Sequence, residues 1–217
     1  MKNFVVLSML LCLSLSGFAR KEKNKLVLIE TTMGNMKVEV FKETPQHAAN
    51  FLKLVEEGFY DSLLFHRVIP NFMIQGGDPE SKHALNGQML GNGDVGYRVP
   101  AEFMDTFYHK KGALAAARDG NPEKASSACQ FYLVVGKTFT DAELDNFEKR
   151  TGTKYSEQAR TDYKTIGGTP HLDGGYTVYG QVVKGQDVVD AISNRPRNTS
   201  DRPNENVRIL SMKVKKK

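Results

Sequence analysis

Short segments set the limits on how this chain can fold. From residue 26 onward, brief runs of aliphatic and β-branched residues alternate with clusters of Gly, Asn, Asp and Pro. Leu26-Val27-Leu28-Ile29-Glu30 and Met36-Lys37-Val38-Glu39-Val40 flank a stretch holding Gly34-Asn35, a turn signal, so a β-hairpin is expected there. Residues 178–183 and 207–214 read as further strands, and residues 76–100 and 194–206 as loops. Helices are few. Thr44 as N-cap and Pro45 at the first helical position open one, in which Ala48, Phe51, Leu52 and Val55 share a face before Gly58 ends it. Residues 186–193 make another. Many short strands with two helices predict a mainly β chain, a barrel or sandwich with helical caps.

One stretch departs from that pattern. Thr140-Asp141-Ala142-Glu143 is a capping box, followed by an apolar stripe of Leu144 and Phe147 and then by Gly152. Tyr155, Ala159, Tyr163 and Ile166 form a second stripe at helical spacing. Residues 137–169 therefore read as a helical insertion. Its six basic and six acidic residues make it no basic binding arm.

The N-terminus reads as a separate element. Met1-Lys2-Asn3 carries one positive charge, residues 4–15 are almost wholly apolar, and Gly17 and Ala19 are the small residues a cut after Ala19 requires. Residues 1–19 are thus expected to be a secretory signal peptide, and the protein to be exported, to the periplasm if the source is Gram-negative. Removing the peptide takes away Cys12 and leaves Cys129 as the only thiol, so no internal disulfide is expected and burial must hold the fold together. No 18-residue apolar run follows, so no membrane span is expected. A formal charge of +5, from 30 basic and 25 acidic residues, is too small and scattered to argue for a nucleic-acid partner.

Most familiar chemistries find no support. The five histidines show no metal-ligand spacing, and no Gly-x-Ser-x-Gly elbow occurs. Gly91-Asn92-Gly93-Asp94-Val95-Gly96 matches the letters of a dinucleotide fingerprint, but polar residues precede it and Pro100 follows where a helix should run. Cys129 lies in an apolar context that favours an inert thiol. What remains is Phe65-His66-Arg67-Val68-Ile69-Pro70-Asn71-Phe72-Met73-Ile74-Gln75-Gly76-Gly77-Asp78, an arginine inside an apolar run. It reads either as a packed strand with one arginine snorkelling to its edge or as a guanidinium set beside an apolar pocket.

This run resembles the signature of the cyclophilin-type peptidyl-prolyl isomerases. Gly112-Ala113-Leu114-Ala115-Ala116-Ala117-Arg118, Ser127-Ala128-Cys129-Gln130-Phe131-Tyr132 and His171-Leu172-Asp173-Gly174-Gly175-Tyr176-Thr177-Val178-Tyr179-Gly180 resemble three further blocks of that family, in the same order. The resemblance covers residues 26–214, apart from residues 137–169, which small members lack. It implies a closed eight-stranded antiparallel barrel with a helix over each end and a groove on its outer face. It also implies a catalytic Arg67 and a substrate site of Phe72, Met73, Gln75, Ala117, Arg118, Gln130, Tyr132, His171, Leu172 and Tyr176. Gln130 and Tyr132, two apart on a strand, are expected to face one side and Phe131 the interior.

The implied reaction is rotation about X–Pro bonds of exported, proline-containing polypeptides, which breaks no covalent bond and so calls for no metal or other cofactor. A monomer is expected. The alternative is a cyclophilin-like binding module or chaperone that holds proline-containing segments without significant turnover. Three residues depart from the commonest family pattern: Tyr132 stands for phenylalanine, Tyr176 for histidine, and His171 for the tryptophan that the family links to tight cyclosporin binding. Weak cyclosporin binding is therefore expected. Residues 137–169 stay open between a surface decoration, which costs little entropy, and a flap extending the groove, with Phe147, Tyr155 and Tyr163 as packing or contact residues.

Overall fold

A computed structural model of the chain describes residues 23–215; the expected signal peptide lies outside the described residues. The first hairpin joins β1 (Lys25–Thr31) to β2 (Gly34–Val40). Its turn is Thr32-Met33, because Thr31 pairs with Gly34, so the Gly34-Asn35 signal lies at the start of β2 and not at the tip. Thr31 makes the early turn, its Oγ1 accepting from Met33 N (3.0 Å) and donating to Gly34 O (2.7 Å).

Helix α1 (Pro45–Glu56) starts on Thr44 with Pro45 in its first turn, as the sequence predicts. Its buried face is His47, Ala48, Phe51, Leu54 and Val55, and Leu52 is half-buried beside it. The strands β3 (Arg67–Ile69), β4 (Met73–Gly76), β5 (Arg98–Val99), β6 (Ala113–Ala116), β7 (Ser126–Ser127) and β8 (Phe131–Val134) follow. Then come α2 (Asp141–Thr151), α3 (Glu157–Thr165), β9 (Val178–Lys184), α4 (Gln186–Ser193) and β10 (Ile209–Lys215). No helix among the described residues is long and apolar enough to cross a membrane.

Eight strands form one antiparallel, curled sheet in the order β10-β1-β2-β9-β6-β8-β4-β3, and β5 pairs with β7 alone. The regular ladder stops at β3 and β10, so the sheet is open, a half-barrel, where the resemblance implies a closed one; its two edges meet only locally. There the segment before β3 meets the segment entering β10 through a single Leu64–Arg208 bridge. Ser62 N to Ile209 O (2.8 Å), Phe65 N to Val207 O (2.9 Å) and Ile209 N to Leu63 O (2.8 Å) complete it.

Strand alternation divides the apolar residues into two layers. Ile74, Leu114, Ala116, Phe131 and Leu133 face inward with Val27, Ile29, Val38 and the apolar faces of α1 and α4. Met73, Ala113, Ala115, Ala117, Tyr132, Val134 and Val178 form a second cluster on the opposite face. Helices α2 and α3 bury a third, small cluster around Phe139, Leu144, Ala159 and Tyr163. The capping box forms as the sequence predicts, with Thr140 N donating to Glu143 Oε2 (2.8 Å). Ile166, expected on the buried stripe of α3, is 48% exposed because the helix ends at Thr165.

Candidate active site

The outer apolar layer forms the floor of a cavity. In β3 and β4, Arg67 pairs with Gln75, and in β4 and β8, Gln75 pairs with Tyr132, so these three residues form one cross-strand row. The turn Pro70-Asn71-Phe72 returns the chain within three residues. Asn71 takes φ 59°, a left-handed conformation that asparagine tolerates, and the Phe72 carbonyl accepts from Val135 N (2.9 Å) and Gly136 N (3.1 Å). Gly77 is required for the opposite end of β4. A Cβ there would lie 2.1 Å from Cys129 O, so only glycine allows β4 to exit against the segment carrying Gln130.

The cavity, of about 310 Å³, is lined by Arg67, Phe72, Met73, Gln75, Ala117, Arg118, Tyr132, Leu172 and Tyr176 from the expected set, together with His66, residues 87–92, Asn198, Ser200 and Arg202. Gln130 and His171 line adjoining pockets. Gln130 Nε2 donates to Gly91 O (2.9 Å) and Gly93 O (2.8 Å), and its Oε1 accepts from Gln75 Nε2 (3.0 Å). Its amide is thus committed to shaping the rim. Asp78 holds the same rim from below, its carboxylate accepting from Glu80 N (2.8 Å) and from Gly91 N (2.5 Å).

Arg67 stands at the cavity edge with its side chain 42% exposed. Its Nε lies 3.7 Å from Asp201 Oδ2, and its terminal nitrogens hold no partner among the described residues. Asp201 is brought there by Val68 N, which donates to its carbonyl (2.8 Å). Opposite, Arg118 stacks over the Tyr176 ring at 4.7 Å and donates from Nε to Gly175 O (2.7 Å), fixing that wall.

Tyr132 presents its ring, not its hydroxyl, to the cavity. Its hydroxyl turns away from the pocket and donates to His109 Nε2 (2.9 Å), leaving the ring face to the cavity. His109 Nδ1 in turn donates to Asp173 Oδ1 (2.7 Å), which assigns the tautomer, and Tyr163 of α3 donates to Asp173 Oδ2 (2.5 Å). Tyr163 and Tyr155 are therefore packing residues; Tyr155 donates to Pro170 O (2.9 Å).

Sequence reasoning missed His66, Asp201 and His109. His66 is 3% exposed, and neither ring nitrogen has a partner among the described residues. Burial pushes its imidazole down to about 4, so it is neutral at pH 7. Its adjacency to Arg67 was the only available signal. Asp201 sits in a polar stretch and His109 in a mixed one, both without periodicity, and they reach the site through long-range contacts. Cys129 is buried, and burial pushes its thiol up to about 11, an inert state at neutral pH.

Comparison with known proteins places the chain in a family. Residues 26–214 match the family of cyclophilin-type peptidyl-prolyl cis-trans isomerases. A peptidyl-prolyl cis-trans isomerase of Acinetobacter baylyi is 34% identical over 199 residues, covering 88% of this chain and 86% of that protein. A protein of Streptococcus pyogenes named as a putative bifunctional phosphatase/peptidyl-prolyl cis-trans isomerase is 37% identical over 191 residues; these are 87% of this chain but only 38% of that longer protein. The crystal structure of a cyclophilin-type isomerase from Cryptosporidium parvum superposes with a TM-score of 0.68 at 23% identity, covering 90% of this chain and 99% of that one, a likeness of fold. The chain belongs to the cyclophilin-type peptidyl-prolyl cis-trans isomerase family. Within that class it is an enzyme, a peptidyl-prolyl cis-trans isomerase.

Proposed function

We propose that the chain isomerises X–Pro bonds of exported polypeptides in the cavity described above, with Arg67 as the catalytic residue. One observation carries this reading: an arginine anchored by Asp201, its terminal nitrogens unpartnered among the described residues, borders an apolar cavity large enough for a proline ring. The barrier to rotation, ~18–20 kcal/mol, is amide resonance. As the bond twists, the prolyl nitrogen regains a lone pair, and Arg67, always protonated, donates to it. That bond is stronger in the twisted state than in either planar isomer, which is the condition for catalysis.

Phe72, Met73, Tyr132 and Leu172 grip the ring, and Gln75, whose Oε1 has no partner among the described residues, takes a neighbouring peptide N–H. Gln130 acts one step back by holding residues 91–93. Bringing a step of tens of seconds to milliseconds is about 10⁴-fold, or about 5.5 kcal/mol. A charge-assisted hydrogen bond in a preorganised pocket is of that order.

Three finer points belong to the same reading. Closure of the open ladder into a barrel is supported by the three hydrogen bonds at the Leu64–Arg208 bridge. Treatment of residues 137–169 as an insertion is supported by its own apolar cluster and by its paired neck, where Gly168 N donates to Lys137 O (2.9 Å). Export is supported by the pattern of residues 1–19, and action as a monomer is part of the same reading. Exchange NMR on X-Pro tetrapeptides is the direct test of the site. Accelerated cis–trans exchange with the purified chain is expected; binding without acceleration would leave only a proline-holding module. An N-terminus at Arg20 in the exported fraction, read by mass spectrometry, tests processing.

A further inference from the structure

We propose that the cleft between α2 and the β3–β4 corner is a second substrate subsite. It takes a hydroxyl-tipped aromatic side chain, tyrosine, on a residue next to the bound proline. The inference rests on the isomerase reading and adds a specificity to it. The cleft, of about 420 Å³, is lined by Ile69, Phe72, Phe139, Phe147, Thr169 and His171.

It adjoins the main cavity across Phe72. Phe72 lines both, and His171 stacks on Phe72 with centroids 5.6 Å apart and planes 28° apart. Neighbouring residues are about 3.8 Å apart along a chain, so an aromatic side chain beside the proline spans from one side of Phe72 to the other. The walls are preformed. Phe147 packs edge-on to Phe139 at 5.6 Å, approaches His171 at 6.0 Å, and carries the Arg150 guanidinium on its ring at 5.0 Å. Aromatic walls at these spacings favour another ring.

A second observation selects its chemistry. Thr169 is 1% exposed and its Oγ1 has no partner among the described residues. A buried hydroxyl left unpaired carries a desolvation cost that a ligand hydroxyl relieves. Of the residues lining the cleft, the two charged ones, Lys137 and Glu143, pair with each other at 3.8 Å, so the lining itself presents aromatic faces and a hydroxyl and no unpaired charge.

The experiment compares kcat/KM, by exchange NMR, for peptides carrying Tyr, Phe or Gly immediately before or after the proline. At one of the two positions the unmodified protein is expected to favour Tyr over Gly by about five-fold or more, and Tyr over Phe by about three-fold. Phe147→Ala should bring the Tyr/Gly ratio near one. Thr169→Val, nearly isosteric, should abolish the Tyr/Phe difference while keeping the Phe/Gly one. Equal values for Tyr and Gly at both positions, or a ratio that survives Phe147→Ala in a folded variant, would overturn the subsite and leave the isomerase reading standing. Should no peptide be turned over, that reading fails, and the subsite is judged separately. Tyr-dependent shifts of the His171 and Phe147 ring signals in a peptide titration would uphold it, and their absence would sink it.

Discussion

The role proposed for Arg67 rests on what holds it and on what it leaves free. The Asp201 contact is long and solvent-exposed, so it orients the guanidinium but contributes little to stability. Arg67→Ala is therefore expected to lower kcat/KM by one to three decades, roughly 1.4–4 kcal/mol, with an unchanged urea midpoint. Arg67→Lys should restore only part, since an ammonium lacks the planar fork. Full activity in the alanine variant would remove Arg67 from the mechanism. Its neighbour His66 makes a different prediction. Burial lowers its imidazole from 6.5 to about 4, so between those values the unfolded chain binds a proton that the folded chain does not. Stability is present in full above pH 6.5 and declines as pH falls toward 4, by roughly 3 kcal/mol from this residue. Urea midpoints of His66→Gln should fall less steeply across that window than those of the unmodified protein. Parallel profiles would show that His66 is not responsible.

At the scale of elements, the chain Tyr132–His109–Asp173–Tyr163 ties a strand of the cavity floor to a helix well outside it. Helices α2 and α3 are thereby fastened at several points, at the Lys137–Gly168 neck, at Asp173, and through Tyr108 and Lys110 to Asp162, in addition to their own apolar cluster. Tyr163→Phe keeps the packing and leaves one carboxylate oxygen of a largely buried Asp173 short of a donor. It should destabilise the protein by about 2 kcal/mol, the range of hydrogen bonds to charged groups, as read by chemical unfolding. A change below a few tenths of a kcal/mol would mean that solvent replaces the lost hydroxyl.

The described residues are organised by one curled sheet with a face toward α1 and α4 and a face toward the cavity proposed for substrate. Its two edges approach each other at the Leu64–Arg208 bridge, where three backbone hydrogen bonds run between them. If these bonds close the sheet, the amides of Ser62, Phe65 and Ile209 should exchange with solvent as slowly as those of Ile74 and Leu133 in mid-sheet. Exchange faster by several orders of magnitude would describe edges that fray independently.

Local chemistry made much of this legible in the sequence. The capping box, the Thr44-Pro45 helix start and strand alternation around Phe131 act over a few residues, and the structure bears them out. Arg67, Phe72, Met73 and Gln75 were legible because a three-residue strand, a tight turn and its return keep them within one hairpin. The hairpin tip was misplaced because Thr31, through its own hydroxyl, closes the turn before Gly34 is reached. The direction of the Tyr132 hydroxyl, the commitment of Gln130 to the 91–93 loop and the anchoring of Arg67 by Asp201 were not legible. Each depends on a partner tens of residues away, which no local pattern announces. What the sequence by itself determined is most of the strands and helices and the family to which the chain belongs, since propensity and side-chain type are local properties. Only the tertiary structure decided which polar groups are already paired and which stay free for substrate, because hydrogen bonding is an accounting over the whole folded chain.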